Sequence, residues 1–168
     1  MNAQMLVLAA LLAGPARGQE MLIPPIAGLT MKDLHDSFQQ ARGERKHEAI
    51  DIVAPRGTPV QAVVSGTIRK LFLSKPGGKT IYLFDEREQY CYYYGHLDGY
   101  VESLREGQHV KAGQVIGYVG STGNADPRVP HLHMAVTELG PLKEWWKGVV
   151  LNPYPALVEA VKNSRPDN

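Results

Sequence analysis

Short runs of alternating apolar and polar residues, separated by turns rich in glycine and proline, dominate the middle of this chain. Successive side chains of a strand point to opposite faces of a sheet, so such runs predict half-buried β-strands. The predicted strands cover residues 50–54, 58–64, 66–73, 80–84 and 90–96, a short pair within 107–117, and a last strand from 131. Their regular spacing indicates a mainly β fold, an antiparallel β-sheet or sandwich, and disfavours a βαβ series.

Helical signals are confined to short segments on either side of the predicted strands. Thr30 and Asp33 predict a capped helix that runs through residue 40. Before it, residues 19–29 contain two adjacent prolines and predict a linker-like arm, and after it the charged, glycine-containing residues 42–46 predict a loop. Residues 153–163 predict a C-terminal helix. The expected fold is therefore a sheet with one short helix at each end.

The N-terminus has the pattern of an export signal. The apolar run within residues 1–14 is too short to span a bilayer, but it has the length of a signal-peptide core. Small residues before Gln19 place the expected cleavage near Gly18. The segment before the apolar run has no Lys or Arg, so a retained interfacial anchor is the alternative. We expect an exported protein of the periplasm or cell envelope without a stable membrane span.

Composition narrows the possible functions. A chain of 168 residues is long enough for one domain that buries roughly two-thirds of its unfolded surface. The net charge of +1, without a basic block, gives no argument for nucleic acid as a partner. Cys91 is the single cysteine, which excludes an intramolecular disulfide and a cysteine-based zinc site. Its tyrosine-rich, strand-like surroundings predict a small buried apolar residue instead of a nucleophile.

Two histidines stand at the start of the last predicted strand. Alternation places His131 and His133 on one face and Leu132 and Met134 on the other. Two imidazoles on one face can reach a single point, as a metal site or a ligand beside a general base requires. A lone histidine is more often a packed or solvated side chain. The presence of two histidines on one face is what favours a functional role.

A histidine and a carboxylate lie four residues apart at the entrance to the first predicted strand. The segment contains His47, Glu48 and Asp51, but its β-forming flanks and the following Pro55 and Gly57 do not sustain the helical His-Glu-x-x-His zinc motif. In an extended segment an even separation favours one face, so His47 and Asp51 can converge while Glu48 points to solvent.

With His133, these two residues make a set of two imidazoles and one carboxylate. Such a set is found in catalytic zinc sites, which keep three protein ligands and leave a fourth position for water. His96 ends the tyrosine-rich strand beside a turn, where side chains often face a cleft, and His131 is fixed beside His133. Spacing alone leaves open whether the three segments meet.

Several motifs in the chain, taken in order, resemble the lysostaphin-type zinc metallopeptidases, the LytM-like peptidoglycan endopeptidases. The similarity covers residues 38–155. It is carried by His47-x-x-x-Asp51, Ala-Pro-Arg-Gly-Thr-Pro-Val at 54–60, Tyr-Gly-His-Leu at 94–97, Gly-x-x-Gly-Ser-Thr-Gly at 117–123, His-Leu-His at 131–133 and Asn-Pro-Tyr at 152–154.

The resemblance implies a specific site and reaction. His47, Asp51 and His133 would hold one Zn²⁺ in an open groove, and His96 and His131 would be the catalytic histidines. Zinc would make a water nucleophilic near neutral pH. One catalytic histidine would take its proton while the other stabilises the oxyanion and protonates the departing amine.

The implied organisation is a signal peptide over 1–18, an arm with a short helix over 19–46, a metallopeptidase domain over 47–155, and a C-terminal helix and tail over 156–168. The implied partner is the peptide stem of peptidoglycan. We expect the chain to be a monomer. The scissile bond stays open between a D-Ala to diaminopimelate cross-link, which is favoured for a small chain, and a glycine bridge.

Two residues depart from the family pattern, and two other functions compete. Ala49 replaces a usual glycine and Met134 a frequent aromatic residue, but neither change removes a ligand.

The first alternative function is a non-catalytic relative that binds peptidoglycan or activates an amidase, and such proteins usually lack some of the ligands. The second is a lipoyl- or biotinyl-type carrier, suggested by the glycine-cornered hairpin around 107–114, but the turn at Ser65-Gly66 lacks the required lysine.

Overall fold

A computed structural model describes residues 21–164 of the chain. Within that range the chain forms strands β1 (Ala41–Arg42), β2 (Arg45–Lys46), β3 (Ile50–Val53), β4 (Pro59–Gln61), β5 (Gly66–Ser74), β6 (Gly78–Asp85), β7 (Tyr90–Leu97), β8 (Gly99–Tyr100), β9 (His109–Val110), β10 (Val115–Tyr118), β11 (His131–Leu139) and β12 (Gly148–Leu151), followed by helix α1 (Tyr154–Asn163).

The main sheet is antiparallel throughout and has the strand order β12-β11-β7-β6-β5-β9, with β3 also paired to β11. A smaller antiparallel sheet has the order β4-β10-β8, and β1 and β2 form a separate hairpin. This architecture confirms the predicted mainly β, antiparallel fold. Strand β11 is central to it, because β7 pairs along most of its length, β3 pairs with its first residues and β12 with its last.

Alternation on β11 separates the core from the opposite face of the sheet. Leu132 and Met134 are completely buried in the core, while His131 and His133 are only partly buried on the other side. Tyr94 of β7 is also fully buried, and its hydroxyl oxygen accepts a hydrogen bond from the Val63 N–H at 3.0 Å. The sheet therefore has one apolar face against the core and one face that carries titratable groups.

The predicted helix over residues 30–40 is wrong. The Thr30 N–H and hydroxyl donate to the same Asp33 carboxylate oxygen, at 2.9 and 2.7 Å, but the turn they close does not continue into a helix. Downstream, the carbonyls of Phe38 and Gln40 accept hydrogen bonds from the backbone N–H groups at residues 48 and 47. Tertiary hydrogen bonds thus replace the local helical ones that the cap alone would favour.

The predicted loop over residues 42–46 is also wrong, because most of it belongs to the β1–β2 hairpin. Gly43 occupies the turn with a φ of +67°, a left-handed conformation that glycine adopts without steric cost. The 21–29 segment has no helix or strand, as predicted, yet it packs on the core through the buried Ile26 and Leu29. It is therefore a part of the fold and not a free linker.

Helix α1 confirms the predicted C-terminal helix, with Leu157, Ala160 and Val161 buried against the core. In the range 21–164, no helix is long and apolar enough to cross a membrane. The predicted signal peptide over 1–18 lies outside the described residues.

Candidate metal centre

The three predicted ligands converge on one point. Asp51 of β3 lies directly opposite His133 of β11 in the antiparallel register, and His47 precedes β3. Asp51 Oδ1 is 3.0 Å from His133 Nδ1 and 3.1 Å from His47 Nε2, and the two ring nitrogens are 3.2 Å apart. The ligand atoms of all three residues lie within 4.8 Å of one another.

The donor chemistry of this cluster fits a divalent metal. His47 Nδ1 lies 3.1 Å from the Ser37 carbonyl, which can only accept, so a neutral His47 carries its proton on Nδ1 and presents the Nε2 lone pair to the cluster. Two imidazole nitrogens and one carboxylate oxygen form the ligand set of an open catalytic site. Asp51 is shaped for single-oxygen ligation, because its other oxygen accepts a hydrogen bond from Arg42 Nη2 at 2.8 Å.

The two remaining histidines stand beside the cluster. The His96 ring is 5.0 Å from that of His131 and 5.4 Å from that of His133, measured between centroids. His131 Nε2 is 3.7 Å from Asp51 Oδ1. His131 Nδ1 donates to the Val129 carbonyl at 2.9 Å and His96 Nδ1 to the Thr122 carbonyl at 2.8 Å. Each neutral ring therefore keeps an unprotonated Nε2.

Burial and neighbouring groups together set the protonation states of the cluster. Desolvation lowers the pKa of His96 to about 4, although the hydrogen bond to Thr122 acts in the opposite direction. Desolvation also lowers the pKa of His47. Burial by itself would raise the pKa of Asp51, but the hydrogen bond from His133 and the neighbouring imidazoles hold it at about 2. Near pH 7 the groups are therefore neutral His47, neutral His96 and ionised Asp51.

His96 is held in an uncommon backbone conformation. Its φ of +59° lies in the left-handed region, which residues other than glycine seldom adopt. Its N–H donates to the Gly77 carbonyl at 2.8 Å, and its carbonyl accepts from the Thr122 N–H at 3.4 Å. The glycine-rich segments on either side of His96 thus fix both its backbone and its ring.

An open cavity of about 570 Å³ surrounds the five groups. Its two walls are the β1–β2 hairpin with the following residues and the loop over 124–129. The lining residues are Arg42, Arg45, Lys46, His47, Glu48, Asp51, Val53, His96, Asn124, Ala125, Asp126, Val129, His131 and His133.

Sequence reasoning misses the three basic residues on the hairpin wall, because the composition of residues 42–46 predicts a loop. The only available signal was their position just before His47.

The tyrosines of β7 do not line the cavity. Tyr92 and Tyr94 are buried, and Tyr93 places its ring edge-on to His133 with centroids 5.8 Å apart.

Cys91 is buried as predicted, and desolvation raises its pKa to about 12, which removes it as a nucleophile. The two other histidines within the described residues, His35 and His109, are exposed and line no part of the cavity.

The geometry indicates the class of metal-dependent hydrolases, and sequence comparison specifies the family. A family model described as Peptidase family M23 matches residues 45–153. The chain belongs to this family.

Individual relatives agree with the assignment. The chain is similar to an L-Ala--D-Glu endopeptidase of Bacillus subtilis (strain 168), with 36% identity over 120 residues that cover 68% of this chain and 35% of that protein. It is 40% identical over 88 residues to lysostaphin of Staphylococcus simulans, covering 52% of this chain and 17% of that protein.

The structure resembles the catalytic domain of lysostaphin from Staphylococcus simulans, with a TM-score of 0.59, 28% identity, and coverage of 83% of this chain and 90% of that one. The chain spans only about a third or less of the length of the curated relatives named above.

Proposed function

We propose that this chain is a zinc-dependent endopeptidase that hydrolyses peptide bonds in peptidoglycan. The observation that carries the proposal is the convergence of His47, Asp51 and His133, with His96 and His131 beside them. Family membership supports a peptidase, and the names of the relatives, an L-Ala--D-Glu endopeptidase among them, support peptidoglycan peptides as the substrate.

His47, Asp51 and His133 would hold one Zn²⁺ through Nε2, Oδ1 and Nδ1. When bound, zinc supplies an acidified water and polarises the scissile carbonyl. The residues of this chain supply the rest. Arg42 holds the free oxygen of Asp51, and the backbone carbonyl of Ser37 fixes the His47 ring.

His96 and His131 handle the protons. The low pKa of His96 keeps its ring neutral, so its Nε2 enters the reaction as a proton acceptor. His131 is closer to solvent and, when protonated, donates from Nε2 to the developing oxyanion and to the departing amine. Overall, the peptide C–N bond breaks, the water oxygen joins the carbonyl carbon, and a water proton ends on the amine nitrogen.

The surrounding organisation is part of the same proposal. Residues 1–18 would direct export to the cell envelope, residues 47–155 would make up the catalytic domain, and the chain would act as a monomer. The presence of all five site groups supports the enzyme over the binding-only alternative.

Digestion of purified cross-linked peptidoglycan, with mass analysis of the fragments, tests the proposal. We expect new peptide ends in the presence of zinc and none after treatment with a chelator. Unchanged digestion with the chelator would exclude a metal-dependent reaction.

Two neighbouring histidines of β11 separate the roles. His131→Ala is expected to lower turnover at least 100-fold while zinc stays bound, because general acid–base groups contribute about 10²–10⁴-fold. His133→Ala is expected to lose the zinc itself. His109→Ala, on the exposed edge strand β9, is the control and should change neither quantity. Full turnover by His131→Ala would refute its assignment.

A further inference from the structure

The β1–β2 hairpin brings three cations to one wall of the groove. Arg42, Arg45 and Lys46 line the cavity that contains the metal cluster. In the hairpin register Arg42 lies directly opposite Arg45, and Ala41 opposite Lys46. Directly opposite residues are about 5 Å apart between Cα atoms, so the two guanidinium-bearing side chains are immediate neighbours.

This arrangement works against the stability of the hairpin itself. Like charges directly opposite each other destabilise a strand pair. Only Arg42 has compensating partners, Asp51 Oδ2 at 2.8 Å and the Gln40 side-chain oxygen at 3.1 Å. The exposed side chains of Arg45 and Lys46 make no hydrogen bond or ion pair with any residue in the range 21–164.

Other charges around the groove leave the hairpin wall positive. Asp126 on the opposite wall is paired with Arg128 at 2.8 Å, and Asp51 is shared by Arg42 and the imidazoles. Glu48 is the one further acidic residue of the lining, and it forms no ion pair with Arg45 or Lys46. A divalent ion at the cluster would add two more positive charges.

We propose that Arg45 and Lys46 bind a carboxylate of the substrate peptide, carried by a residue beside the scissile bond. The guanidinium group suits this role, because its two parallel N–H groups match the two oxygens of a carboxylate. The inference rests on the proposed function and narrows the substrate class. It selects anionic stem peptides over a neutral glycine bridge.

The test compares three probes, namely cross-linked stem peptides with free carboxylates, the same peptides with every carboxylate converted to a primary amide, and pentaglycine. Cleavage is measured as kcat/KM with the zinc-loaded protein, and binding by calorimetry with the metal-free protein, which does not turn the probes over. The test variant is the double substitution Arg45→Gln/Lys46→Gln. The matched control is Arg87→Gln, which replaces an exposed arginine in the turn between β6 and β7, at the opposite end of β7 from His96.

We expect the wild-type protein and Arg87→Gln to cleave and bind the free acid about fivefold better than the amide, the size expected when two exposed ion pairs each contribute slightly more than twofold. The double variant should lower that preference to less than twofold. In wild type the preference should also shrink at 1 M salt, where the Debye length falls to about 3 Å.

The inference would be overturned if the wild-type protein cleaved and bound acid and amide equally, or if the double variant kept the preference for the acid. Cleavage of pentaglycine as efficient as that of the free acid would also overturn it. Each of these outcomes would leave the hydrolase proposal intact. Preferential binding of the free acid without cleavage of any probe would refute the hydrolase proposal and support the carboxylate site.

Discussion

Replacing Gly78 with alanine tests whether close backbone packing positions His96. Gly78 begins β6 with a φ of +65°, and a Cβ at this position would overlap the hydroxyl and backbone carbon of Thr122 and lie 2.6 Å from the Gly123 nitrogen. The same two segments are joined by a hydrogen bond from the Lys79 N–H to the Thr122 hydroxyl at 3.0 Å. Thr122 in turn accepts the hydrogen bond from His96 Nδ1.

Two costs contribute to the loss of stability in Gly78→Ala, namely the left-handed backbone conformation and the steric overlap. A substitution at a second glycine, Gly107, separates them. Gly107 also has a positive φ, +81°, but no atom lies within 4 Å of a Cβ built there. Gly107→Ala therefore carries only the left-handed backbone cost of roughly 1–2 kcal/mol. Gly78→Ala carries that cost and about 1–3 kcal/mol more, because the overlapping atoms belong largely to backbone and must move together. The total expected loss of unfolding free energy is about 2–5 kcal/mol.

Urea unfolding measures the stability difference, and peptidoglycan hydrolysis together with zinc content measures its effect on the site. We expect Gly78→Ala to retain zinc but to lose about 100-fold in activity, since a displacement of about 1 Å can cost that much. Gly107→Ala should keep nearly full activity. A Gly78→Ala protein with the stability and activity of Gly107→Ala would show that the Thr122 loop does not position His96.

Three other residues, Arg42, His96 and Cys91, allow direct tests. Arg42→Gln should weaken zinc affinity about tenfold in a chelator competition, because the free Asp51 oxygen loses its hydrogen-bond partner; unchanged affinity would contradict that positioning role. Burial lowers the pKa of His96 to about 4, so the unfolded chain binds more protons than the folded protein between pH 4 and 6.5. The free energy of unfolding should therefore fall by about 2 kcal/mol from pH 7.5 to pH 5. His96→Asn, which tolerates a positive φ, should remove that part of the pH dependence in urea titrations, and an unaltered pH profile would refute it. Cys91 should react with a thiol reagent only after unfolding, because burial raises its pKa to about 12, and fast labelling of the native protein would show otherwise.

The alternation of apolar and polar residues predicts most strands of the sheet and the shared face of the two histidines of the last strand. The period of two in the last strand predicts His131 and His133 on one face and Leu132 and Met134 on the other, and in the structure the two apolar residues are buried while the two histidines are only partly buried. The departure at Ala49 is tolerated because the left-handed φ of +56° falls on the adjacent Glu48 and not on Ala49, so this position does not require glycine.

The missed features depend on contacts between distant segments. The cap formed by Thr30 and Asp33 is real, but a cap does not produce a helix when the following carbonyls bond elsewhere. The pairing of Arg42 with Asp51 requires the hairpin to fold back over β3, which no local pattern of residues 42–46 specifies. Periodicity reports the face of a residue within its own strand, and it gives no information about which segment will cover that face.

The direct cross-strand pairing of Asp51 with His133 has a consequence for when the protein becomes active. These residues are 82 positions apart in the chain, and β11 must be inserted between β3 and β7 before their donor atoms meet. Contacts of such large sequence separation form slowly, after local hairpins such as β5–β6. An unfolded chain would therefore carry no assembled metal centre, and the proposed hydrolytic activity would arise only with completion of the sheet.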